Sequence, residues 1–142
     1  MRIPRAVLAT MLAMLSACAS VAPQHVYDGP KRPLAELAQV RAESEHENDL
    51  LPGLDARMYI VSVDGTGTFD AFASATSFNP EVVYVLPGRH RFRLQWKQFN
   101  SVADPEVTFL AEAGKQYVIH KVESDGHVGV WVEDMSTRQK VD

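Results

Sequence analysis

Hydrophobic and polar residues alternate most cleanly over residues 89–97. His90, Phe92, Leu94 and Trp96 fall on one side of the chain and Arg89, Arg91, Arg93, Gln95 and Lys97 on the other, because successive side chains of a strand point to opposite faces. This pattern predicts a strand over residues 90–99 with its aromatic side inward. Runs rich in β-branched and aromatic residues also cover 58–63, 69–78, 82–86, 107–113, 117–123 and 128–135. Turn pairs separate them: Asp64-Gly65, Asn79-Pro80, Pro87-Gly88, Asp104-Pro105, Gly114-Lys115 and Asp125-Gly126. Short runs punctuated in this way are the signature of a β-sandwich or barrel. The expectation is a mainly β protein, an antiparallel sandwich-like domain of six or seven strands. Residues 82–86 do not alternate, which predicts a central strand covered on both faces, by a helix if one is at hand.

The N-terminal part reads differently. Leu34, Leu37, Ala38, Val40 and Arg41 recur at helical spacing after Pro33, among good helix formers, and predict a short helix over 33–46. The polar run 43–49 and Pro52-Gly53 should end it. Residues 19–33 hold three prolines, one glycine and no apolar periodicity, as expected of an extended linker reaching up to ~50 Å at ~3.3 Å per residue.

Before the linker, Arg2 and Arg5 precede an apolar run of about 10 residues and then Leu15-Ser16-Ala17-Cys18, the layout of a cleavable export signal. The run is too short for a bilayer-spanning helix, which needs about 20 residues. The tetrad resembles the lipobox of bacterial lipoproteins, which implies that Cys18 becomes the diacylated first residue of the mature chain. Ala19, where the sorting rule known from such lipoproteins uses Asp for inner-membrane retention, implies the outer membrane, facing the periplasm. Several acyl chains anchor firmly where one would be marginal. The expected organisation is therefore a signal peptide over 1–17, a lipidated Cys18 with a flexible tether to residue 33, and one β-rich periplasmic domain over 34–142.

Composition narrows the chemistry. One cysteine among 142 residues excludes an internal disulfide framework and a cysteine-based zinc cage. The net charge of −4 becomes −6 when cleavage removes Arg2 and Arg5, which argues against a nucleic-acid partner and against simple adsorption to anionic lipid. The histidines His25, His46, His90, His120 and His127 form no metal motif. His120 and His127 flank one predicted hairpin, where a metal would need Glu123 or Asp125 as well. Asp64-Gly65-Thr66-Gly67-Thr68 lacks the acids of a calcium loop and the paired carboxylate of an aspartic protease, and reads as a hairpin turn. No G-x-S-x-G is present. The sequence predicts a non-enzyme with no cofactor and no metal.

Three further segments carry a resemblance: Val63-Asp64-Gly65, then Val82-Val83-Tyr84-Val85-Leu86-Pro87-Gly88-Arg89-His90, then Ala113-Gly114-Lys115-Gln116-Tyr117-Val118. The chain resembles small bacterial outer-membrane lipoproteins with a PEGA-like domain over residues 27–142. The resemblance implies a β fold and carries no catalytic residues.

The remaining feature is the basic row Arg89, Arg91, Arg93 and Lys97. Alternate residues of a strand lie about 6.5–7 Å apart. Such a row can grip phosphates or carboxylates of an envelope polymer, or it can be a solvated ladder paired with acids such as Glu106, Glu112, Glu123 or Glu133. The expected function is a membrane-anchored, non-catalytic binding or structural module of the envelope with a protein or glycan partner. An accessory lipoprotein of a secretion or assembly complex, and a small envelope hydrolase, are the alternatives.

Overall fold

The computed structural model describes residues 23–45, 55–68 and 79–142. The segment expected to be an export signal, Cys18 and the strand expected over 69–78 lie outside the described residues. The strands are β1 (Gln24–His25), β2 (Ala38–Ala42), β3 (Arg57–Val63), β4 (Thr66–Gly67), β5 (Val82–Val85), β6 (Gly88–Gln98), β7 (Ser101–Ala103), β8 (Glu106–Ala111), β9 (Gln116–Ser124), β10 (His127–Asp134) and β11 (Gln139–Val141). One sheet has the order β1-β5-β2-β9-β10-β11. The other has the order β4-β3-β6-β7, with β8 also paired to β6. The protein is mainly β, built from two open sheets that share one core.

The predicted strands that fall on described residues are present, and the short β1, β2, β4, β7 and β11 add to them. The N-terminal helix is not present. Leu34–Glu36 forms a single 3-10 turn after Pro33, and β2 follows as an extended segment. In a helix, Val40 would lie about 200° around the axis from Ala38, whereas a strand brings Ala38, Val40 and Ala42 to one face. All three are buried. Hydrogen-bonding neighbours on both sides, β5 and β9, complete the strand, while an isolated helix this short would be marginal in water.

The same strand corrects the antiparallel expectation. β2 runs parallel to β9 and β1 parallel to β5, so the six-stranded sheet is mixed. β1 also means that sheet pairing begins within the segment read as linker. β5 is not covered on both faces as expected: burial alternates along it, and Val82 and Tyr84 are only half-buried. Val83 and Val85 enter the core, and on the other face the His25 ring stacks on Tyr84 at 5.0 Å.

Between the sheets, Phe92 of β6 stacks on Phe109 of β8 at 5.1 Å, and Phe109 meets Tyr117 of β9 at 5.0 Å. Met58, Ile60 and Leu94 on one side and Val40, Val83 and Ile119 on the other complete this core. The Tyr117 hydroxyl accepts a hydrogen bond from the Glu112 amide at 3.0 Å, tying the β8–β9 turn to the core. Asp64-Gly65 and Asp125-Gly126 both have positive φ, the backbone that a two-residue hairpin requires.

Candidate ligand-binding face

Alternation along β6 has the predicted outcome. Phe92, Leu94 and Trp96 are buried, and Arg89, Arg91, Arg93 and Lys97 stand exposed on the outer face of the five-stranded sheet. The neighbouring strands supply their cross-strand partners. Arg89 lies opposite Leu110, Arg91 opposite Thr108, and Arg93 opposite Glu106 on β8. Lys97 lies opposite Arg57 on β3 and Val102 on β7.

The acids considered as pairing partners are mostly engaged elsewhere. Glu112 binds Lys115, Glu123 binds Lys121, and Glu133 binds His120 and Arg138. Only Glu106 reaches the row, where its two carboxylate oxygens accept from Arg91 Nη2 at 3.0 and 3.1 Å. Among the described residues, Arg89, Arg93 and Lys97 have no ion pair. The ladder of cross-strand pairs is thus formed at one position of the four.

A bulge shapes the face further. Ile60 pairs with Leu94 but Ser62 pairs with Arg93, so one extra residue, Val61, is accommodated on β3. Simple alternation from Met58 and Ile60 would send Ser62 into the core. The bulge instead turns Val63 inward and leaves Ser62 on the outer face beside Arg93. Residues Ser62, Asp64, Gly65, Gly67, Arg91, Arg93 and Glu106 then line an open groove of about 570 Å³.

Asp64 holds the rim of this groove. Its Oδ1 accepts the Arg91 amide at 2.8 Å and its Oδ2 faces His90 Nδ1 at 2.6 Å. His90 Nε2 in turn faces the Leu86 carbonyl at 2.7 Å. Both ring nitrogens of His90 thus face oxygen atoms, which fixes the ring between the turn and the Leu86 carbonyl. Partial burial pushes the Asp64 carboxyl up, but the Arg91 amide and then the His90 ring outweigh it and hold it below the usual carboxylate range. The turn is therefore anchored to β6 by a carboxylate that stays charged.

A second charged cluster lies on the outer face of the six-stranded sheet. His120 stacks on Trp131 at 4.5 Å, with Nε2 2.7 Å from Glu133 and Nδ1 3.2 Å from Glu43. The hairpin register does not join His120 to His127: His120 lies opposite Trp131, and His127 opposite Ser124. Nor do Glu123 and Asp125 approach it, since the carboxylates beside it come from Glu43 and Glu133. Among the described residues no three His, Cys, Asp or Glu side chains are grouped to hold a metal ion. Both ring nitrogens of His120 face carboxylates.

Sequence reasoning found the basic row but missed Ser62, Asp64 as a groove residue, and the pairing of Glu106 with Arg91 alone. The Asp-Gly turn was a usable signal for Asp64, while the bulge left none. The protein these features define is a two-sheet β protein with a cationic, grooved outer face. The chain was compared with protein-family models, curated proteins and solved structures, and none matches. Among the described residues no helix is long and apolar enough to cross a membrane.

Proposed function

We propose that the protein is a non-catalytic binding module of the bacterial envelope, held by acyl groups on Cys18 to the periplasmic side of the outer membrane. Its contact surface is the basic outer face of the five-stranded sheet. The observation that supports this most is the uneven pairing of charge. On a chain with more acids than bases, Arg89, Arg93 and Lys97 share one strand face with no ion pair among the described residues. That concentration of unneutralised cations favours an acidic partner, because complementary potential speeds encounter and sets orientation.

The anchor fits this reading geometrically. Five residues lie between Cys18 and Gln24, where sheet pairing starts, so that strand stands at most ~20 Å from the lipidated residue. Acidic polymers or proteins of the envelope are the partners this reading favours.

The test is an affinity pull-down of the lipidated full-length protein from detergent-solubilised envelope. Arg91→Glu combined with Arg93→Glu should abolish recovery of the co-purifying partner, and unchanged recovery would reject the basic face as the contact. Intact-mass measurement on the same preparation should show acyl groups on Cys18. A free thiol there, with the mature protein released by osmotic shock, would reject the anchor.

A further inference from the structure

We propose that the groove between the β3–β4 turn and β6 binds an acidic sugar, with the sugar's uronate or phosphate group held by Arg93 and Arg91 and its hydroxyls by Ser62 and Asp64. This rests on the basic-face reading above and narrows it to one ligand class. The volume of about 570 Å³ suits a small ligand of one or two rings. Arg91 and Arg93 are neighbours on one strand face, about 6.5–7 Å apart at the backbone, so their long side chains can converge on a single oxyanion. Arg93 has no ion pair among the described residues, and the bulge places the Ser62 hydroxyl beside it.

The remaining lining selects against a bare polyanion. Asp64 and Glu106 put two carboxylates on the groove, which repel a densely charged polymer but accept hydrogen bonds from hydroxyl groups. Each oxygen of Asp64 is used once, by the Arg91 amide or by His90, and keeps a further lone pair on a half-exposed side chain. Gly65 and Gly67 leave the rim open: a Cβ at Gly65 would meet nothing within 4 Å, and one at Gly67 only the Val61 carbonyl at 4.0 Å. A pyranose ring can lie against this backbone. One anionic group with several hydroxyls matches two guanidinium groups flanked by carboxylates better than a phosphate chain does.

Glu106 acts as an internal competitor. Its carboxylate holds Arg91 as a ligand's carboxylate would, and the pair is exposed enough to exchange. Removing that charge frees Arg91 and lowers the negative potential in the groove, so Glu106→Gln should increase affinity.

Isothermal titration of the full lipidated chain in detergent, with glucuronate, glucose 6-phosphate, glucose and inorganic phosphate as probes, tests this. Glucuronate or glucose 6-phosphate should bind, and whichever binds more tightly assigns the anion as uronate or phosphate ester. Glucose should give no signal. Arg93→Gln should weaken binding about tenfold or more, as expected for loss of a hydrogen-bond donor to a charged group, and Glu106→Gln should strengthen it by up to about fivefold, as expected for release of an exposed ion pair. Both side chains are exposed, so circular dichroism should show unchanged folds. The proposal is overturned if neither acidic sugar binds, if inorganic phosphate binds as tightly as they do, or if Glu106→Gln weakens binding. Partner recovery that is still lost on charge reversal, without any sugar binding, would sink the groove and leave the basic face standing. Recovery that survives charge reversal would sink the face itself.

Discussion

Phe109→Ala should destabilise the protein by about 3–5 kcal/mol, the usual cost of emptying a buried aromatic site. Phe109 is fully buried and its ring joins the two sheets, meeting Phe92 on its own sheet and Tyr117 on the other. Neither neighbour can move in to fill the space. Phe92 is fixed by the β6 ladder, and Tyr117 is held by its hydroxyl's bond to the Glu112 amide. The loss is a large share of the roughly 5–15 kcal/mol that stabilises a typical domain. Urea denaturation followed by tryptophan fluorescence should show a lower midpoint with an unchanged slope. The adjacent Leu110, exposed on the outer face, is the control, and Leu110→Ala should change stability by no more than about 0.5 kcal/mol. Equal effects at the two positions would mean that Phe109 does not form the joint between the sheets.

The second large effect is expected at Asp134, and it depends on pH. This residue is 2% exposed. Its Oδ1 accepts from the Ser136 hydroxyl at 2.6 Å and the Ser136 amide at 2.8 Å, while Oδ2 lies 3.0 Å from Lys115 Nζ. The Ser136 hydroxyl is the main cause that lowers its pKa to about 2. Burial opposes the shift, and Lys115 and the Ser136 amide add to it. Lys115, held by Glu112 and Asp134, is pushed upward in turn. A carboxylate whose pKa is lower in the folded state than in the unfolded chain, where it is ~3.9, stabilises the fold above that value. The contribution fades as the pH falls through about 2.

Asp134→Ala removes these charge-assisted bonds and should cost about 1.5–3 kcal/mol at neutral pH. The gap between variant and parent should stay constant from pH 7 to about pH 4, then close as the parent's carboxylate takes up its proton. A gap that persisted unchanged at pH 2 would show that the side chain acts through packing and not through its charge.

The strands legible in the sequence are those whose signals are local. In β6, four inward positions alternate with the basic row. In β9 and β10, two apolar runs flank Asp125-Gly126, whose positive φ values make the hairpin. The segment around β2 fits two periods at once: Leu34, Leu37, Ala38, Val40 and Arg41 recur at helical spacing, while Ala38, Val40 and Ala42 alternate as in a strand. Only β5 and β9, distant in sequence, decide between them by offering hydrogen-bond partners on both sides. The candidate site divides in the same way. The basic row could be read from spacing, but the pairing of Glu106 with Arg91 depends on the β6–β8 register.

From the sequence alone followed the mainly β character, the inward and outward faces of β6, and the positions of the Asp-Gly turns, since each depends on residues within a few positions of one another. The tertiary structure decided that β2 is a strand running parallel to β9, that a bulge turns Ser62 toward Arg93, and that three cations of the row have no ion pair among the described residues. The physical reason is that side-chain alternation is set by the backbone of one strand, whereas register, bulges and charge pairing arise only when strands far apart in the chain are brought together.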